Sequence, residues 1–115
     1  MHIVVIDNKK HRHSWHKDQL DQLIADNNYE IYESFNKEQI MNCIADYVLV
    51  HVNNTKEFSR IESDAECGEN RIYFSGGYRK YYKSKKNNDH YVPIKQLYKI
   101  IKSLIDDSIL INQIV

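Results

Sequence analysis

The sequence predicts a single α/β domain in which helices cover both faces of a parallel sheet. Short β-branched runs that do not alternate with polar residues, such as Ile3–Ile6 and Tyr47–Val50, are typical of strands buried on both faces. Segments with helical periodicity separate these runs, which indicates parallel strands joined by crossover helices in three layers. The length of 115 residues fits one such domain, and 42% hydrophobic residues are enough for its core.

Strand-and-helix pairs are predicted in the first third of the chain. After the first strand, Ser14 is expected to cap a helix whose apolar stripe ends near Asn27. The second strand is expected over residues 29–35. The spacing of Asn36 and Gln39 then predicts a capping box at the start of a second helix.

The same pattern continues through the middle of the chain. A third strand is expected to end at His51, and a third helix is expected to begin at Thr55 or Ser59 and to end before residue 68. The fourth strand covers 71–75. It is broken by the glycine pair 76–77, because two glycines favour a turn.

The last third of the chain predicts a short fifth strand and a strongly amphipathic helix. The strand, 91–92, precedes the only proline, and the helix carries apolar residues at helical spacing from Leu97 to Ile105. Residues 76–90 are few for a loop, a helix and a second loop, so the fourth helix is expected to be short or missing. We assign 1–108 to the domain and 109–115 to an apolar tail or an extension of the last helix.

Composition excludes several broad classes of function. Lys plus Arg and Asp plus Glu each total 16, so no whole-molecule field attracts nucleic acid or anionic lipid. The N-terminus has no signal-peptide pattern and no apolar run is long enough to span a bilayer, so we expect a cytoplasmic protein without a membrane partner. Cys43 and Cys67 lack metal-binding or disulfide spacing and are expected to be structural thiols.

Four landmarks of the sequence are similar to those of one known family. Asp7 follows the first strand, residues 46–55 (DYVLVHVNNT) form a third strand and loop, Ser75 ends the fourth strand, and Pro93 follows the fifth. With five strand-and-helix units, the chain resembles a response-regulator receiver (CheY-like) domain. The resemblance implies a flavodoxin-like fold with a five-stranded parallel sheet of order 2-1-3-4-5.

The phosphorylation pocket that the resemblance implies is degenerate here. In receivers the third-strand aspartate accepts the phosphoryl group, an acidic pair holds Mg²⁺, and a lysine pairs with the phosphoryl oxygens. The corresponding residues of this chain are Asp7, Asn8, His51, Ser75, Val92 and Pro93. Because His51 replaces the acceptor and Val92 replaces the lysine, we expect no aspartyl phosphorylation, no catalysis and no cofactor.

Histidines near the first strand raise the alternative of a metal site. His51 and Asp7, together with His11, His13 and His16, could supply ligands for Zn²⁺ if they met at one end of the sheet. This arrangement would correspond to a metal-dependent hydrolase. We favour the simpler interpretation that the loop histidines are solvated and that no metal binds.

A basic segment rich in tyrosine follows the fourth strand. Its candidate anion-binding residues are Gly76, Gly77, Tyr78, Arg79, Lys80, Tyr82 and Lys83. Cations interleaved with aromatic rings can bind nucleotides or nucleic acid, and the glycines could let backbone amides approach an anion. One alternative to nucleic-acid binding is a solvated loop that packs on the edge of the sheet. Another is a surface that docks an acidic protein.

The last helix, helix five of a receiver, and the apolar tail 109–115 favour an interaction surface. Exposing seven mostly apolar residues to water is unfavourable, at about 25 cal/mol for each Å² of apolar surface. The tail is therefore expected to pack on its own domain or on another chain. Our leading hypothesis is a phosphorylation-independent signalling module that binds a protein partner or itself through this helix and the tail, and nucleotide or nucleic-acid binding through 76–86 is the alternative.

Overall fold

The computed structural model describes residues 1–26, 28–34, 45–55, 70–85 and 89–114, with the backbone only for 108–114. Within these ranges the chain forms one mixed sheet and two α-helices, which confirms the α/β prediction. The elements are β1 (Ile3–Ile6), α1 (His13–Leu23), β2 (Tyr29–Tyr32), β3 (Tyr47–His51), β4 (Asn70–Ser75), β5 (Tyr82–Lys83), β6 (His90–Pro93) and α2 (Leu97–Ile114).

The sheet has the order β2-β1-β3-β4-β6-β5. The first five of these strands are parallel neighbours, whereas β5 runs antiparallel to β6, with Tyr82 opposite Tyr91. The sheet therefore has six strands rather than five, and its order differs from the predicted 2-1-3-4-5 because the unpredicted antiparallel strand β5 pairs beyond β6, which corresponds to the predicted fifth strand. A strand of two residues has no periodicity to detect, and only its pairing with β6 defines it.

One face of the sheet carries the larger core. Alternate residues of β1, β3, β4 and β6 point to this face, where α1 and α2 cover them. The fully buried members of this cluster include Ile3, Val5, Leu20, Leu49, Ile72, Phe74, Val92, Leu97 and Ile101. Both described helices therefore lie on the same side of the sheet.

The opposite face of the sheet is also buried. Val4, Ile6, Ala45, Val48 and Val50 form a second apolar cluster there. The second and third predicted helices, 36–44 and 55–67, lie almost entirely outside the described residues. Cys43 and Cys67 lie outside them as well.

The start of α1 differs from the prediction. The helix begins at His13 after a single 3₁₀ turn over Lys10–Arg12, and no side chain caps it. Ser14 lies inside the helix, so its predicted role as N-cap is wrong. The side chains of Arg12 and His13 both bond to Asp7, and these contacts fix the turn in place of a local cap.

The last helix is longer than its strongest periodicity indicates. It runs from Leu97 to Ile114, so residues 109–114 continue the helix. Between β4 and β6 the described residues, 76–85 and 89, contain β5 and no α-helix. No helix in the described part of the chain combines the length and the apolar content needed to cross a lipid bilayer.

Candidate functional site

Asp7 lies just beyond the end of β1 and is fully buried. Its Oδ1 accepts hydrogen bonds from the Lys9 amide at 2.9 Å and from Arg12 Nη2 at 2.7 Å. Its Oδ2 accepts from Arg12 Nε at 2.7 Å and from His16 Nε2 at 2.8 Å. A carboxylate has about four lone-pair positions, so these four donors use all of them.

The pairing of Asp7 fixes its charge. Burial raises the pKa of this carboxyl, but hydrogen bonds from His16, Arg12 and the Lys9 amide outweigh burial, and the pKa lies well below its usual range. The carboxylate is therefore ionised throughout the physiological range. The bidentate Arg12 guanidinium is the cation that neutralises it at the end of the sheet.

His16 connects Asp7 to the last helix. Because a carboxylate only accepts, His16 Nε2 must carry the proton in their 2.8 Å bond. Its Nδ1 forms a hydrogen bond with the Tyr98 hydroxyl at 2.6 Å. Burial raises the pKa of Tyr98 far above its usual value, and the Asp7 charge adds to this effect, so the hydroxyl stays protonated and can donate. Asp7, His16 and Tyr98 form a buried chain from β1 through α1 to α2.

His51 occupies the end of β3 beside this chain. Its Nδ1 lies 3.9 Å from Asp7 Oδ1 and bonds to Asn8 Oδ1 at 2.7 Å. The backbone amide of Asn8 donates to Asn54 Oδ1 at 3.0 Å, and Asn54 Nδ2 donates to the backbone carbonyl of Glu33 at 3.2 Å. Burial lowers the pKa of the His51 imidazole despite the nearby Asp7 charge, so the ring is neutral at pH 7.

Phe74 packs between the two imidazoles. Its ring centroid lies 5.5 Å from that of His16 and 5.4 Å from that of His51. Phe74 is fully buried and belongs to β4, where it pairs in register with His51 and with Val92. The position where the resemblance implies a lysine is therefore an apolar core position, since Val92 is also fully buried.

Ser75 and Pro93 pair in register at the ends of β4 and β6. Ser75 Oγ accepts a hydrogen bond from the Gly77 amide at 3.0 Å, which stabilises the turn after β4. Of the six residues that the sequence placed in one pocket, the structure brings Asp7, Asn8 and His51 into hydrogen-bond contact or ion-pair range. Ser75 acts in the turn instead, because its hydroxyl bonds to the Gly77 amide.

Two of the histidines near Asp7, His13 and His16, form hydrogen bonds with it, and the histidines are not arranged around a common point. His13 Nε2 donates to the Asp7 carbonyl at 2.8 Å, and His16 is enclosed in the core. His11 is exposed on the 3₁₀ turn. Across the described ranges no group of three His, Cys, Asp or Glu side chains is placed to hold a metal ion. Asp7 also has no free lone pair to offer as a ligand.

A second region of interest lies at the β5 edge. An open pocket of about 540 Å³ is lined mainly by Gly77, Tyr78, Arg79, Lys80, Tyr82 and Tyr91. The structure thus brings five of the seven predicted anion-binding residues together. Gly76 and Lys83 are not among the pocket residues, although both are exposed beside it.

The glycine turn of this region does not offer the amides that the sequence suggested. The Gly77 amide donates to Ser75 Oγ, and the Tyr78 amide donates to the Ser75 carbonyl at 3.4 Å. Both donors are used within the turn. An anion here would be bound by side chains rather than by a backbone cradle.

Three important residues were missed in the sequence. Arg12 lies in a polar stretch after the first strand, where an arginine is usually solvated. Tyr98 lies within the predicted last helix and Tyr91 within the predicted fifth strand, and no local pattern marks either residue as functional. Their roles depend on contacts between distant elements, such as the 82-residue separation of His16 and Tyr98.

Comparison with known proteins identifies no relative of this chain. No protein-family model, no curated protein and no solved structure matches it.

Proposed function

We propose that this chain is a flavodoxin-like, phosphorylation-independent receiver-like module that binds a protein partner or a second copy of itself. The observation that carries the proposal is the saturated Asp7 carboxylate. Arg12 occupies its outer lone pairs with a bidentate contact, and His16 and the Lys9 amide take the others. The carboxylate that would help to hold Mg²⁺ in a receiver is thus fully used by the protein's own groups.

The neighbouring positions support the same proposal. Phosphoryl transfer to a receiver needs a carboxylate acceptor, a divalent cation and a lysine that senses the product. Here the acceptor position holds His51, which is neutral, and the lysine position holds the buried Val92. The site therefore has a fixed hydrogen-bonded structure, and we assign it a role in stability rather than in catalysis.

Incubation with acetyl phosphate and Mg²⁺ tests this proposal directly. We expect the mass of the intact protein to stay unchanged, because the acceptor position holds an imidazole and the neighbouring Asp7 carboxylate is fully hydrogen-bonded. A phosphorylatable receiver treated in the same mixture is the positive control. An increase of about 80 Da that is lost on hydroxylamine treatment would contradict the proposal.

The partner surface that we propose lies between α1 and α2. An open groove of about 580 Å³ separates the two helices, and Leu23 and Ile105 contribute apolar side chains to it. Lys99 and Lys102 line the groove together with Asp106, so its cations outnumber its acid, which favours a partner with apolar and acidic side chains. Tyr98 lines it too while its hydroxyl reaches His16, so the groove is built on a rigid, buried support.

Leu23→Glu is expected to disrupt the complex that the native protein forms, because it places a charge in the apolar part of the groove. The measurement is the mass of the native complex by size-exclusion chromatography with light scattering. A whole multiple of the chain mass would identify self-association, a larger mass that is not a multiple would identify an unlike partner, and the mass of a single chain would contradict the proposal. Lys17→Glu, on the exposed outer face of α1, is the matched control. A Leu23→Glu complex of unchanged mass would contradict the proposed surface.

A further inference from the structure

Charge is concentrated in one part of this neutral chain. Between Glu69 and Asp89 there are six Lys or Arg residues and no acidic residue. Arg79, Lys80 and Lys83 are exposed on the segment that forms and precedes β5. In the described part of the chain, neither Arg79 nor Lys80 forms an ion pair. These cations are therefore available to phosphate groups.

Tyrosine rings accompany the cations. Tyr73, Tyr91 and Tyr82 lie opposite one another on β4, β6 and β5, with successive ring centroids 5.4 Å and 6.1 Å apart. Tyr78 meets the Tyr91 ring edge-on at 6.0 Å. Tyr82 ends this row and is 56% exposed, the largest exposed fraction among the large hydrophobic residues described. The row thus ends in one aromatic ring that is largely exposed to solvent.

Together these features form a cationic pocket with an aromatic platform. Arg79, Lys80, Tyr82 and Tyr91 line the same 540 Å³ space. Burial raises the pKa of the Tyr78 hydroxyl. Burial also raises the pKa of the Tyr91 hydroxyl, and the charge of the Asp89 carboxylate adds to this effect. Both hydroxyls are therefore protonated at neutral pH and can donate hydrogen bonds to phosphate or base oxygens.

We propose that this pocket binds single-stranded nucleic acid, with a base stacked on Tyr82 and backbone phosphates paired with Arg79 and Lys80. The open ring requires an unstacked base, which a duplex does not present. The Gly77 and Tyr78 amides, which could cradle the terminal phosphates of an isolated nucleotide, are already used, so only side chains hold phosphate here. An acidic protein would engage the cations and leave the exposed ring without a role.

Fluorescence anisotropy with a labelled 12-nucleotide oligo-uridine RNA and the matching oligo-thymidine DNA tests this site. Arg79→Ala/Lys80→Ala is expected to weaken binding at least tenfold and to make its salt dependence shallower, by about 1.4 in the log–log slope for two lost phosphate contacts. Tyr82→Ala is expected to weaken binding about tenfold, whereas Tyr82→Phe keeps the stacking surface and the affinity. The oligonucleotide that binds more tightly indicates whether the natural ligand is RNA or DNA.

Lys10→Ala/Lys95→Ala is the matched control, since it removes two exposed cations elsewhere and should change the affinity less than twofold. Circular dichroism of each variant verifies that it is folded. The proposal is overturned if the native protein fails to bind either oligonucleotide at 50 mM salt, or if Tyr82→Ala binds as the native protein does. Equal competition by polyglutamate, or tighter binding of the duplex, overturns it as well.

Discussion

Replacing Asp7 by alanine is expected to lower the free energy of unfolding by about 3–5 kcal/mol. The substitution removes the acceptor for four hydrogen bonds and leaves the Arg12 guanidinium without its counter-charge at the edge of the core. It also leaves His16 Nε2 without an acceptor in a fully buried ring. Stabilities of small domains are about 5–15 kcal/mol, so the loss is a large fraction of the total.

Urea unfolding followed by circular dichroism measures this loss. Asp18→Ala is the control, because Asp18 is exposed on α1 and its substitution is expected to change stability by less than about 0.5 kcal/mol. A loss below about 1 kcal/mol for Asp7→Ala would show that the carboxylate is not a major structural support.

The pH dependence provides a second signature of the same group. Because the pKa of Asp7 is lower in the folded than in the unfolded protein, its ionisation stabilises the fold above the unfolded pKa of about 3.9. This contribution is lost as the pH falls below that value toward the folded pKa. Asp7→Asn cannot ionise, so the stability difference between it and the native protein is expected to shrink as the pH falls below about 4.

Phe74→Ala is expected to lower the free energy of unfolding by about 3–5 kcal/mol, through lost burial and a cavity in the core. The ring is fully buried and lies between His16 and His51, so both imidazoles lose a packing partner. The resonances of these two histidines in an NMR spectrum should therefore shift. The resonances of His11, which is exposed, should stay unchanged.

Two further substitutions calibrate the Phe74 result. Phe74→Leu keeps an apolar side chain and is expected to lose less stability than Phe74→Ala. Tyr82→Ala truncates an exposed aromatic ring and is expected to lose about 1 kcal/mol or less. Similar losses for Phe74→Ala and Tyr82→Ala would contradict the central position of Phe74 in the core.

The strands buried on both faces were the elements best predicted from sequence. Ile3–Ile6 and Tyr47–His51 contain unbroken apolar runs, and the two strands lie side by side in the interior of the observed sheet. The last helix was equally clear, because its apolar residues recur at helical spacing from Leu97. In each case a local pattern reports directly on burial.

Elements defined by long-range contacts escaped prediction. The α1 start depends on Arg12 and His13 bonding to Asp7, and β5 depends on pairing with β6. The position of Asp7 beside His51 followed from parallel strands ending at one edge. That Arg12 would fill the lone pairs of Asp7 did not follow, since an arginine in a polar loop is usually solvated.

The short strand β5 also affects how the sheet meets its surroundings. An uncovered edge strand presents free backbone donors and acceptors that can pair with another chain and start aggregation. β5 offers only two residues, one of them Lys83, and Lys80 and Lys85 lie close to it in the chain. Like charges would meet if two such edges approached, so this edge resists sheet extension and keeps the strands of separate molecules apart.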